Sequence, residues 1–388
     1  MKTIYKINKT QINTLSNNLL KLFILSVLLI NFSCSKDDCE FTGNNNPSTC
    51  IPFGENTEYA GFTVTTNYSN DLNSSIGTIY NTQLNSQAPQ GDDWGTTSLG
   101  PQVSSISPAN WTRNDIGQVF GIAIDNNENV YLASSDIYSF GGFSVSNTKP
   151  SEIYKCSAPS FLATPFITLP NTGGPGNGIG NIAVDKVNNQ MFATNLEDGK
   201  IYRIDLTLNI IIDTYDPWIG DDSAGGIERQ EERVWGIGVN YESGKVKVYF
   251  PRVNLITPER SIYSITLKND GSFPASGSEV IEVSNVPGNQ DIISDIAFSS
   301  SKNQMLIAER NAYHNSKVMS FNKSGSWNFN VQYFVGGSAG ADGENSAGGV
   351  DFYTNELDED ISAVCNESFW ATGNWMFTRT PNLSLVYG

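Results

Sequence analysis

The sequence predicts an all-β fold, a β-propeller of six blades with four antiparallel strands each; five or seven blades are the alternatives. Three observations predict it. A short pattern recurs five times, as Phe120-Gly121-Ile122-Ala123-Ile124-Asp125, Asn181-Ile182-Ala183-Val184-Asp185, Trp235-Gly236-Ile237-Gly238-Val239-Asn240, Asp295-Ile296-Ala297-Phe298-Ser299 and Gly348-Gly349-Val350-Asp351. Measured at its last residue, the spacing is 60, 55, 59 and 52 residues, the length of one four-stranded blade. Further apolar runs return in step behind each copy, and beyond residue 33 no stretch carries a convincing helical period, which favours a propeller over a two-sheet sandwich.

Within each unit the quoted pattern is the first strand. A polar turn follows, such as Asp125-Asn126-Asn127-Glu128-Asn129 or Asp185-Lys186-Val187-Asn188-Asn189, where Asx residues bond their own backbone and tolerate left-handed conformation. Second strands begin about six residues after the Asp, at Val130–Ala133, Gln190–Ala193 and Gln304–Ile307. Third strands are 153–156, 201–204, 262–265 and 318–321, each alternating as a half-buried strand does. Fourth strands follow at 166–169, 210–213, 280–283 and 331–334. One period before Asp125 lies Gly61-Phe62-Thr63-Val64-Thr65-Thr66, the sixth copy. The last unit offers Phe369-Trp370-Ala371 and Ser384-Leu385-Val386-Tyr387 but no fourth strand. Either the strand at Gly61–Thr66 completes that blade and removes the open edge, or the sequence is a fragment.

Residues 1–33 read as an export signal: Lys2, Lys6, Lys9 and Lys21 precede an apolar run from Leu22 to Ile30 that is short for a bilayer span. Ser33-Cys34 resembles a bacterial lipoprotein cleavage site, which implies that Cys34 is lipidated, although Asn31 stands where such sites usually have Leu or Val. Ser35-Lys36-Asp37-Asp38 resembles the surface-export signal of Bacteroidota lipoproteins, and reads equally as a solvated linker. Residues 34–57 are Asn-, Gly-, Ser- and Pro-rich, a flexible tether, and the propeller is expected over 58–388.

The chain carries a net charge of −17. The signal holds four lysines and no acid, so its removal leaves −21 on 355 residues. Such a chain repels phosphate backbones, which excludes nucleic acid as a partner, and the charge serves solubility. Of the five cysteines, Cys39 and Cys50 are expected to form a small-loop disulfide outside the cytoplasm. Cys156 and Cys365 read as buried thiols. The five tryptophans outside the repeats' motifs, Trp94, Trp111, Trp218, Trp327 and Trp375, suit packing between blades better than sugar stacking.

The pairing of Gly-Ile-Ala-Ile-Asp with Asn-Val-Tyr-Leu-Ala, and of Asn-Ile-Ala-Val-Asp with Ile-Tyr-Arg-Ile-Asp, resembles the repeats of the NHL and gluconolactonase-like propeller superfamily, from about Gln118 to Gly388. That superfamily holds lactonases, lyases and pure binding modules, and fold does not select among them. Its gluconolactonase-like enzymes hold one divalent cation at the axis, which the resemblance places here near Phe120, Asn181, Trp235, Asp295 and Gly348. Only Asn181 and Asp295 can ligate, with Glu309 and Asn195 as additions on the same face. A calcium ion wants six or more oxygens, so the residue types favour polar groups rimming a water-filled channel over a metal site.

His314 is the one histidine. With Tyr313 or Glu309 it is the candidate general base of a lyase-like reaction, though a single loop histidine is more often a surface residue. No Gly-x-Ser-x-Gly elbow supports triad chemistry. The run Glu228–Arg233 with Asp221-Asp222 reads as a solvated loop. Together with Arg252, Glu309 and Arg310 it can also form a mixed-charge rim for a polar ligand. Gly173–Gly180 leads into a strand and lacks the helix N-terminus that a phosphate cradle needs. The acidic loops at 342–345 and 355–360 lack the spacing of a calcium loop.

The reading that follows is a monomeric, lipid-anchored propeller of the cell envelope, periplasmic or surface-exposed. It binds a protein, peptide or glycan without catalysis, through Asn181, Asn195, Arg252, Asp295, Glu309 and Arg310. The alternative is a metal-dependent lactonase or esterase, or a propeller lyase, acting at the axis with Asn181, Asp295 and Glu309 around a calcium or similar cation.

Overall fold

The computed structural model describes residues 62–66, 71–81, 105–135, 150–170, 178–217, 233–254, 259–288, 292–299, 302–310, 315–333, 335, 344–353 and 368–373. The signal, the tether, Cys34, Cys39, Cys50, Tyr313, His314, Cys365, the 221–232 charge run and the strand expected at 384–387 lie outside them.

The fold is a β-propeller. Four sheets have four strands each, in the order that the chain lays them down. The first is β4 (Gln118–Ile124), β5 (Val130–Ser135), β6 (Glu152–Cys156) and β7 (Ala163–Thr168). The second is β8 (Ile179–Asp185), β9 (Gln190–Asn195), β10 (Ile201–Asp205) and β11 (Ile210–Tyr215). β12 (Gly238–Glu242), β13 (Lys245–Asn254), β14 (Glu259–Thr266) and β15 (Val280–Val283) form the third. The fourth is β16 (Ile292–Phe298), β17 (Gln304–Arg310), β19 (Val318–Ser324) and β20 (Ser326–Tyr333). Two three-stranded sheets flank these: β1 (Phe62–Thr66), β2 (Gly77–Asn81) and β3 (Ser105–Ile106) before them, and β18 (Asn315–Ser316), β21 (Glu344–Tyr353) and β22 (Ser368–Gly373) after them.

The core lies between sheets. Ile76, Ile79 and Trp111 pack with Val130, Leu132 and Phe161 of the first blade. Tyr131, Ala133 and Ile153 then meet Ile182, Met191 and Ile204 of the second. Phe192, Ile201 and Tyr215 meet Val246, Val248 and Ile265 of the third, and Tyr249 and Ile262 meet Ile296, Met305 and Phe321 of the fourth. Leu306, Ala308 and Val318 pack on Val350 and Ala371. Each sheet thus covers its neighbour, as small stacked sheets must to bury their faces. Trp111 and Trp327 are both buried in these layers, the packing use expected of them.

In three of the five copies the last residue of the repeated pattern is a turn cap. Asp125 Oδ1 accepts the backbone N–H groups of Asn127 at 2.8 Å and Asn129 at 2.9 Å. Asp185 Oδ1 does the same for Val187 and Asn188 at 3.0 and 3.2 Å, and Ser299 Oγ accepts from Gln304 N at 3.0 Å. A short polar side chain closes each of these three reversals. Asp185 also accepts the Tyr241 hydroxyl of the next blade at 2.9 Å.

Two features differ from the sequence reading, and a third decides between its alternatives. Arg113–Ile116 form one short helix, α1, started by Thr112, whose side chain accepts from Asp115 N; four residues are too few for a periodicity. β12 starts at Gly238 rather than Trp235, because residues 233–237 run alongside β16 instead of pairing with β13: Gly236 N donates to Ile293 O at 3.1 Å. Phe62–Thr66 pairs antiparallel with β2 and opens a sheet of its own, so among the described residues it does not complete the last blade. The last sheet is instead opened by β18, which lies between β17 and β19 in the chain and pairs in parallel with β21 at Asn315 and Ser316.

Candidate functional site

First strands begin, and second strands end, on one face of the propeller. On the opposite face the first and second strands of the four-stranded blades are joined by two to five residues, as between Glu242 and Lys245 or Phe298 and Gln304. On the first face such a blade reaches the next sheet through about 8 to 22 residues, the longest between Tyr215 and Gly238. Long connections on a rigid scaffold are where binding groups are carried. All the candidate side chains that the structure describes sit at the strand ends of this loop face.

A β-bulge recurs on the innermost strands at this level. The ladder slips between Val119 and Gly121, between Ile179 and Ile182, between Ile293 and Asp295 and between Ser346 and Val350. Bulges re-aim side chains. Here the residues at or beside them are Phe120, Asn181, Ser294 with Asp295, and Gly348, four of the five axial positions of the sequence reading with one neighbour added.

These residues touch in a closed ring. A Cβ on Gly121 would stand 2.9 Å from Asn181 Oδ1, so the strand after Phe120 lies flat on Asn181. Asn181 Nδ2 donates to Asp295 Oδ1 at 2.7 Å and to Ser294 O at 3.0 Å. Ser294 Oγ donates to Gly348 O at 2.9 Å. Gly348 has φ +95°, and a Cβ there would lie 2.3 Å from Ser294 Oγ and 3.1 Å from the Arg310 Cβ. Arg310 closes the circuit, its guanidinium carbon 5.5 Å from the centroid of the Phe120 ring.

Asp295 is the centre of the ring. Its Oδ1 also accepts Ile296 N and its Oδ2 accepts Val350 N, both at 2.9 Å. Burial pushes its carboxyl up to about 7; the Val350, Asn181 and Ile296 donors pull the other way, and the charge of Asp351 adds to the rise. Asn181 spends both amide hydrogens on the fourth blade, while its Oδ1 accepts Ile182 N at 2.8 Å. The two residues therefore bond to each other across the intervening third blade instead of rimming an open shaft.

Glu309 belongs to a second network. Its carboxylate receives Arg260 of the third blade, both side chains being almost fully buried, and accepts Lys317 N at 3.1 Å. Arg260 also donates to the carbonyls of Val286 and Pro287. Gly288 lies flush on the pair, where a Cβ would be 2.4 Å from Arg260 Nη2. Asn195 is buried and shapes its own turn, with Nδ2 donating to Pro170 O at 2.9 Å and Oδ1 accepting Glu197 N at 3.1 Å. Arg252 pairs with Glu279 at 2.8 Å and lies 4.6 Å above the Tyr263 ring.

For a cation, the donor set does not fit. Asn181 turns its NH2 group to Asp295, and the Glu309 carboxylate is held by Arg260 and Lys317. A site with six oxygens would require both networks to open. Among the described residues no group of three or more His, Cys, Asp or Glu side chains is placed to share an ion. Cys156 is a buried free thiol, its pKa pushed up to about 12 by burial. Neither the bulges nor the ring follow from sequence reasoning. The recurrent Gly at Gly121, Gly180, Gly236 and Gly348 is the one available sign, since glycine marks close backbone approach.

Fold and ring together define the class as a β-propeller whose innermost strands are tied to one another at the level of its loop-bearing face. No protein-family model matches the chain, and no curated protein does. Among solved structures it is similar to the β-propeller domain of Cps50 (Swd1) from Myceliophteria thermophila, at 11% identity and TM-score 0.42, covering 81% of this chain and 94% of that one. It is also similar to an auxiliary nutrient binding protein from Bacteroides thetaiotaomicron, at 11% identity and TM-score 0.36 over 66% and 52%. A gluconolactonase from Xanthomonas campestris gives 10% identity and TM-score 0.37 over 65% and 69%. At these values no residue role is carried over from them.

Proposed function

We propose that this protein is an exported, lipid-anchored propeller that binds a protein, peptide or glycan on its loop face without catalysing a reaction. The observation that carries this reading is the Asn181–Asp295 bond. Side chains that a cation-dependent hydrolase would turn toward a shared ion are here bound to one another and to backbone groups. Export and anchoring rest on the charged and apolar pattern of residues 1–33 and on Cys34.

Two measurements test it. A panel of lactones and esters offered to the purified mature chain, with and without chelator, should give no turnover above buffer; turnover that chelator abolishes would overturn the binding-only reading. Cys34→Ala should leave the protein unlabelled by a fatty-acid probe and released from membranes, and continued anchoring refutes lipidation at that residue.

A further inference from the structure

We infer that a single extra residue in the outermost strand of each four-stranded blade, at Phe166, Ile212, Glu282 and Asn330, keeps the outer edge of the propeller from pairing with a second copy of this chain. The inference is independent of the binding reading above. Among the described residues β7, β11, β15 and β20 each pair on one side only, so each offers a row of outward-facing N–H and C=O groups that a strand of another molecule can use. Apolar surface lies there too. Of the ten large hydrophobic side chains exposed among the described residues, six are in these strands: Ile210, Ile212, Val280, Ile281, Phe329 and Val331. Edges of this kind associate unless something guards them.

The guard is in the registers. Ile153 faces Ile167 and Tyr154 faces Pro165, which leaves Phe166 without an opposite. Arg203 and Ile204 face Asp213 and Ile211 around Ile212. Ile262 and Tyr263 face Val283 and Ile281 around Glu282, and Ser320 and Phe321 face Val331 and Phe329 around Asn330. All four outermost strands are bulged. Along a straight antiparallel edge the outward-facing groups recur every second residue, and an inserted residue throws the two sides out of step. The longest unbroken run that remains is four residues, Ser326–Phe329, so a straight strand from a second copy can engage only a fragment of any edge.

Two of these strands have a further guard. β7 contains Pro165, which has no N–H to offer, and β15 is four residues long, with Glu282 bonded to Lys247 and Ser264 at its extra position. β20 has eight residues and neither proline nor charge, so its bulge is what stands against pairing. The core does not need the extra residue there, because Asn330 is exposed and the pairs on either side of it form a continuous ladder once it is removed. The same holds for Ile212 in β11, which is 37% exposed.

The test deletes Ile212 or Asn330 from the non-lipidated mature chain and follows mass against concentration by sedimentation velocity. The wild type and Ile212→Ala should stay monomeric. So should Asn330→Ala, which keeps the bulge while losing the amide's 3.2 Å bond to Ser320 Oγ. Each deletion should instead give species of about twice the monomer mass or more as concentration rises, with the native near-ultraviolet circular dichroism retained. Val331→Lys added to the Asn330 deletion should return it to monomer, because a two-fold antiparallel pairing sets the two new charges near each other. A self-associated wild type, deletion variants that stay monomeric, substitutions that associate as strongly as the deletions, or association that the lysine leaves unchanged overturns the inference. Loss of the native spectrum in both deletions overturns it as well, since the extra residue would then be a packing requirement.

Discussion

The side-chain amide of Asn181 donates to the carboxylate of Asp295 over 2.7 Å, joining two innermost strands that lie 114 residues apart in the chain. The third blade, which separates them in sequence, passes beside the bond through Gly236: a Cβ there would be 3.1 Å from Asp295 N. Val350 adds the last sheet to the same carboxylate. Three sheets thus meet at one side chain, with the segment that leads into the third blade beside its backbone.

Asn181→Ala should destabilise the protein by about 1–3 kcal/mol, since it removes the donor to one buried and one part-buried acceptor without offering a replacement. Urea unfolding midpoints measure this. A change within a few tenths of a kcal/mol would mean that the clasp is incidental to the fold.

Asp295 ties stability to pH. In the unfolded chain it ionises near 3.8, whereas in the fold it keeps its proton up to about 7. Between those values the native state binds the extra proton, so the contribution is fully present below about 4 and is lost as pH rises toward about 7. The wild type minus Asp295→Asn difference in unfolding free energy should fall across that window and level off above it. A difference that is flat, or that rises with pH, contradicts the burial assigned to this carboxyl.

Gly348→Ala should cost at least about 2 kcal/mol, because it adds a left-handed strain to a clash 2.3 Å from Ser294 Oγ. Gly325→Ala shares the positive φ, +76°, but has nothing within 4 Å of the new Cβ, and should cost about 1 kcal/mol. Equal losses at the two positions would remove the steric part of the argument.

Glu309→Ala should destabilise by about 3–5 kcal/mol, because it strands the buried Arg260 guanidinium without its counter-charge. The double change Arg260→Met with Glu309→Met should recover a large part of that loss. If the double variant is the worse of the two, the pair contributes more than its own desolvation costs.

Much of the strand order is legible in the chain itself. Val130 to Ala133, Ile201 to Ile204 and Val318 to Phe321 alternate or run apolar between polar turns, and all fall inside strands. The candidate site is legible only in part. Asn181, Asp295 and Arg310 do lie on one patch. Glu309, one residue before Arg310, turns to the other face of its strand and pairs with Arg260, because successive strand residues point oppositely. β13 falls outside the second strands expected from the repeat, although Val246, Val248 and Phe250 alternate through it.

The sequence by itself determined the architecture, the order of the strands and the role of Asp125, Asp185 and Ser299 in closing turns, because those depend on interactions within a few residues. Only the tertiary structure decided what the recurring pattern does at the axis. The bulges at Phe120, Asn181, Ser294 and Gly348 and the bond from Asn181 to Asp295 arise from the angle at which whole sheets meet. Partners that far apart in the chain leave no local periodicity.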